Sequence, residues 1–90
     1  MKDKFTVKKK VTKTVIAEEE VILNFQQFIG YNVMMLRKGQ NLSQDELSEK
    51  LGIVRTSVVN IEAGRQNLSV KRLRQLCDIF KCDSFKILKF

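Results

Sequence analysis

Arg55, Thr56 and Asn60 fall within one six-residue stretch, and their side chains suit the edges of DNA bases. An arginine can fork onto the two acceptors of guanine, an asparagine can pair both groups of adenine, and a threonine offers a hydroxyl and a methyl. Catalytic chemistry is much less well provided for. The chain has no histidine, and no serine or cysteine has a plausible activating partner, so general-base and nucleophilic mechanisms are poorly served. Cys77 and Cys82 are the only cysteines. Two thiols without further Cys or His do not complete a four-ligand zinc site within one chain. No enzyme, metal or cofactor is expected, and the two thiols are expected to behave as small buried hydrophobes.

The segment 42–64, LSQDELSEKLGIVRTSVVNIEAG, is expected to hold these side chains in place. Ser43 followed three residues later by Glu46 forms a capping box, which satisfies two backbone donors at a helix start. Asp45 and Glu46 in the first turn and Lys50 in the last suit the helix dipole. Leu47 and Leu51 share a face, and Gly52 stands where a left-handed residue closes a helix. A second helix fits Arg55 to Ala63, with Val58 and Ile61 facing inward and Gly64 as its stop. A helix, a short glycine turn and a second helix make the helix-turn-helix pattern, whose second helix enters the major groove.

The charge agrees with a polyanionic partner. The net charge is +7 and the pI near 9.7, a balance that favours nucleic acid. Residues 1–14 hold six lysines and one acid, a net +5, while the remaining eleven basic and nine acidic residues give +2. The excess therefore lies in an N-terminal arm, and the rest of the chain must bind through local patches. No apolar run is long enough to span a membrane and no apolar signal segment opens the chain, so a cytoplasmic protein is expected.

Three regions follow from texture. Residues 1–23 have a β-branched, loosely alternating pattern from Phe5 to Ile16, interrupted by Glu18 to Glu20, with Val21 to Leu23 as a second short strand or the lead-in to a helix. This arm is either a solvated basic segment, a strand that pairs with another chain, or a tether along the DNA backbone. Residues 24–84 form the helical domain. Its first helix is expected after Asn24, which makes a capping box with Gln27, with Leu23 and Phe28 spaced as a hydrophobic staple. A start near Ala17, using the three glutamates as a favourable first turn, is the alternative. Phe25, Ile29, Val33 and Leu36 give this helix its core stripe, and Gly39 ends it. Ser69 caps a fourth helix whose apolar face is Val70, Leu73, Leu76, Cys77 and Phe80. Residues 85–90 form an apolar tail that suits either a final short helix, capped by Asp83 or Ser84, or a terminal strand.

Residues 29–84 resemble the phage-repressor, or Xre-type, helix-turn-helix family. The resemblance rests on Ile29-Gly30, Leu36-Arg37, Leu42-Ser43-Gln44, Glu46-Leu47, Leu51-Gly52-Ile53, Val58, Ile61-Glu62, Gly64, Ser69 and Leu73. It implies an all-α, compact five-helix, lambda-repressor-like domain that binds double-stranded DNA as a homodimer, here carrying a β-like basic arm. By position, Arg55, Thr56 and Asn60 match the family's base-contacting residues. Val54 departs from the usual Ser or Thr cap and is expected to touch a thymine methyl instead.

Gln44 matches a phosphate contact at a helix N-terminus, against a plainer role as a polar first-turn residue. Ser57 is at best another such contact. Arg65, Gln66, Asn67, Lys71 and Arg72 would complete the backbone clamp, against the plainer reading of a solvated charged face. Lys71, Arg72 and Arg74 oppose the dipole of their helix, a conflict that a bound phosphate would relieve. Glu62 faces the negative end of its own helix dipole and needs a cation. The resemblance implies that Arg37 supplies it, as a structural pair. The expected function is a sequence-specific transcriptional regulator, most simply a dimeric repressor reading an inverted repeat. An antitoxin, which would bind its toxin protein through the arm, or a restriction-modification controller is the alternative within this class. A protein-interaction module that has lost DNA binding is the alternative outside it. The dimer surface is expected at Phe80, Phe85, Ile87, Leu88 and Phe90.

Overall fold

The computed structural model describes residues 16–89, with side chains from Phe25 onward. Five helices run in order among the described residues: α1 (Ile16–Gly39), α2 (Gln44–Leu51), α3 (Arg55–Glu62), α4 (Val70–Phe80) and α5 (Ser84–Leu88). Residues 1–15 of the expected arm, and Phe90, lie outside the described residues.

The start of α1 corrects the expectation built on Asn24. An N-cap residue needs a non-helical backbone, whereas Asn24 lies well inside this 24-residue helix. The alternative start near Ala17 is the one adopted. Ala17 and Glu18 to Glu20 favour helix by propensity, and the acids suit its positive end. Ile16 to Leu23 are therefore helical and do not form the strand that their β-branched residues suggested. At the other end, Gly39 is the last helical residue, but the left-handed position falls on Asn41 (φ 58°). Asparagine is among the few non-glycine residues that tolerate it. The Leu42 N–H then donates to the Arg37 carbonyl at 3.1 Å.

The helix-turn-helix itself follows its local signals. The Ser43 hydroxyl accepts from the Glu46 N–H at 2.9 Å, and the Glu46 carboxylate accepts from the Ser43 N–H at 2.7 Å. Gly52, at φ 73°, turns the chain out of α2. The Ile53 N–H closes the turn on the Ser48 carbonyl at 3.0 Å. At the start of α4, Ser69 accepts from the Arg72 N–H at 3.0 Å.

The core is Val33, Leu47, Leu51, Val58, Ile61, Leu76, Phe80 and Ile87, drawn from all five helices. Ile29, Leu36, Leu73 and Cys77 pack at its edge. Two expected core positions turn outward: Phe25 on α1, and Val70 at the first position of α4. Cys77 and Cys82 are free, half-buried thiols packed against the core. Burial first, and then the adjacent Cys77, raise the Cys82 thiol above the ordinary range, so it stays protonated at neutral pH.

Residues 84–88 resolve into a helix. Ile87 enters the core, and Asn32 of α1 donates from Nδ2 to the Ile87 carbonyl at 2.8 Å and the Lys89 carbonyl at 3.0 Å. This corrects part of the expected dimer surface. Phe80 and Ile87 are buried and Leu88 packs against the core, which leaves Phe85, 71% exposed, as the outward aromatic of α5.

Candidate nucleic-acid interface

The outward face of α3 begins at Val54, which is 68% exposed and makes no side-chain cap. A Val54→Ser substitution supplies the missing acceptor and is expected to raise stability by about 1 kcal/mol in chemical denaturation. Arg55 and Thr56 follow on the exposed face, Ser57 and Asn60 are half-buried, and Val58 and Ile61 anchor the helix from beneath.

The other end of α3 is tied down electrostatically. Arg37 of α1 donates from Nε to Glu62 Oε2 at 2.7 Å and from Nη2 to Glu62 Oε1 at 3.1 Å. Its Nη1 donates to the Leu42 carbonyl at 2.8 Å. The two side chains are only 9% and 5% exposed. This two-point contact answers the unfavourable placement of Glu62 in the α3 dipole, because the carboxylate gains a fixed counter-charge.

From this pair a chain of bonds runs outward. Gln44, the first residue of α2, donates from Nε2 to Glu62 Oε1 at 3.0 Å, and its Oε1 accepts from Arg55 Nη2 at 3.3 Å. Arg55 Nε also lies 3.5 Å from Asp45 Oδ1. The first turns of α2 and α3 are thus joined through the arginine best suited to a guanine.

The remaining candidates divide. Arg65 donates from Nε to Asn60 Oδ1 at 3.3 Å, so these two residues meet at the far end of α3, and among the described residues the Asn60 NH2 group is left to donate elsewhere. Asn67 Oδ1 accepts from Gln26 of α1, which fixes the loop before α4 against the first helix. Gln66 and Lys71 are exposed. Arg72 differs from the sequence expectation. It is half-buried, and its Nη1 donates to Gln75 Oε1 at 2.6 Å and lies 3.5 Å from the Leu51 carbonyl. One edge of its guanidinium therefore serves the C-terminal end of α2, where free carbonyls attract a cation. Sequence reasoning passed over Asp45 as anything beyond a first-turn acid. It also missed the Gln44–Glu62 bond, for which residues 18 apart on different helices give no local signal.

The helix-turn-helix family model matches residues 33–87. An uncharacterized HTH-type transcriptional regulator, y4mF of Sinorhizobium fredii, is 35% identical over 54 residues, covering 60% of this chain and 71% of that protein. The fold is similar to that of the restriction-modification controller protein C.AhdI from Aeromonas hydrophila, with a TM-score of 0.65 and 24% identity over 69% of this chain and 94% of that one. It is equally similar to the DNA-binding domain of BldD, with a TM-score of 0.65 and 24% identity over 71% and 93% of the two chains. The chain belongs to the helix-turn-helix family of DNA-binding transcriptional regulators. No helix among the described residues is long and apolar enough to cross a membrane.

Proposed function

We propose that the protein is a sequence-specific repressor that binds an inverted repeat as a homodimer, with α3 of each copy in the major groove. The observation that carries this reading is the composition of the outward face of α3. Arg55, Thr56 and Asn60 offer base-reading groups on a helix whose inner face and C-terminal end are fixed to the core. A domain that had lost DNA binding would be expected to carry acids or bulky apolar groups at these three positions. In this reading Val54, Arg55, Thr56 and Asn60 face base edges. The N-terminus of α2 with Gln44, together with Ser57, Arg65, Gln66, Asn67, Lys71 and the free edge of Arg72, faces phosphates and sets register. Two copies then read half-sites about 34 Å apart. The exposed apolar residues Met35 on α1 and Phe85 on α5 are candidates for a contact between copies.

In vitro selection from random-sequence DNA at two salt concentrations tests the reading. The expected result is an enriched inverted repeat whose affinity falls as salt rises. Binding that falls steeply with salt and enriches no motif would replace a repressor with an architectural protein that contacts phosphates alone. No binding at all would overturn the DNA reading.

A further inference from the structure

We propose that Asp45 is a specificity-determining residue, one that acts by holding Arg55 in the orientation in which it reads a single guanine. The inference rests on the DNA-binding reading above and concerns how α3 selects sequence.

An exposed arginine has many rotamers and can satisfy phosphates, guanines or water with any edge of its guanidinium. Here the choice is restricted. Nε faces the Asp45 carboxylate at 3.5 Å, and Nη2 donates to Gln44 Oε1 at 3.3 Å. The Nε–Nη2 edge is thereby turned toward α2. Among the described residues Nη1 and the far side of Nη2 have no partner, and these are the two donors of an end-on fork onto the O6 and N7 of guanine.

One acceptor that restrains Arg55 is itself held by a further side chain, and the other, an exposed carboxylate, is carried on a fixed backbone. A carboxylate only accepts, so the bond from Gln44 Nε2 to Glu62 Oε1 fixes which end of the Gln44 amide points at Arg55. Glu62 in turn is gripped at two points by Arg37. Asp45 lies in the first turn of a helix whose start is fixed by the Ser43 capping box. Arg55 is thus pre-positioned by a neutral acceptor and a charged one.

The charged acceptor has a second effect. A carboxylate beside the arginine opposes any approach of phosphate to the same group, so it disfavours non-specific contacts more than it weakens the guanine contact. An acid at this position that served only the α2 dipole would change stability and leave discrimination between sequences alone.

The test compares wild type, Arg55→Ala and Asp45→Asn in selection and in titration of the selected site and its single-base variants. Arg55→Ala identifies the base pair that Arg55 reads, as the position where preference disappears. Asp45→Asn is expected to lower discrimination at that same pair by about five- to tenfold. Preferences elsewhere should be unchanged, and affinity for random DNA equal or higher. Asp45 is exposed, and thermal melts of both variants establish that they remain folded. An Asp45→Asn protein that shifts affinity for all sequences by one common factor, with the discrimination at that pair intact, overturns the inference alone. A wild-type chain with no preference at any position overturns it together with the reading on which it rests.

Discussion

Replacing Glu62 by glutamine is expected to destabilise the protein by about 3–5 kcal/mol, because the substitution leaves the buried Arg37 guanidinium without its counter-charge. With about 4–8 °C lost per kcal/mol in a domain of this size, the melting temperature should fall by roughly 12–40 °C. Several features make the loss large. Both side chains are nearly inaccessible, so water cannot replace the lost partner. The carboxylate accepts from Arg37 Nε, Arg37 Nη2 and Gln44 Nε2. An amide at position 62 has one acceptor oxygen, and its NH2 group must face another donor. The loss is also a large share of the total, since a small domain is stabilised by only about 5–15 kcal/mol.

A double variant, Arg37→Met with Glu62→Leu, should recover part of the stability, because it removes both charges while keeping apolar volume. Recovery should be incomplete, since the Leu42 carbonyl and Gln44 Nε2 each lose a partner. Thermal melts followed by circular dichroism check both statements. A Glu62→Gln protein that melts with the wild type would mean that water reaches the pair.

The parts of this molecule that could be read from its sequence are those decided within a few residues. Ser43 and Glu46 satisfy each other's backbone within one turn, Gly52 closes the same helix, and Val58 with Ile61 declares the inner face of α3. Each of these signals concerns neighbours, and little elsewhere in the fold competes with it. The start of α1 was less legible because two local solutions competed. Asn24 with Gln27 makes a sound cap only if the chain before it is not already helical, and Ala17 with three glutamates makes it helical. The end of the chain was ambiguous for another reason. Five residues, Ser84–Leu88, are too few for period to separate helix from strand. The choice came from outside the segment, where Ile87 fills the core and Asn32 takes the carbonyls of Ile87 and Lys89.

The binding face divides in the same way. The types of Arg55, Thr56 and Asn60 suggested base recognition, and family position suggested Gln44 and Arg37. The partners of the long polar side chains were not legible. Arg72 reaches the end of α2, 21 residues away in sequence, and Gln44 reaches Glu62. Such bonds depend on how helices cross, which no spacing along one helix encodes.

That crossing leads to the second large effect. Gly30→Ala is expected to destabilise the protein by more than the roughly 1–3 kcal/mol typical of an overpacked site. A Cβ at Gly30 would lie 2.4 Å from the Ile61 carbonyl oxygen and 2.6 Å from that of Glu62. Both obstacles are backbone, so no side chain can rotate to make room, and α1 must move away from the end of α3. The shift cannot stay local. Arg37 is two turns further along α1 on the same face, and moving α1 stretches its contact with Glu62. The helix-propensity gain from glycine to alanine, about 1 kcal/mol, is too small to offset these losses.

Gly39→Ala is the matched control. It is a helical glycine, and a Cβ there would have nothing within 4 Å, so the substitution should be neutral or stabilising by up to about 1 kcal/mol. Gly64→Ala combines both penalties, a φ of 78° and a Cβ 2.7 Å from the Gln27 Cα, and should fall with Gly30→Ala. Guanidinium denaturation of the three variants orders them. If Gly30→Ala proves as stable as Gly39→Ala, α1 and α3 do not cross at this distance, and the Arg37–Glu62 bond that fixes α3 loses its geometric basis as well.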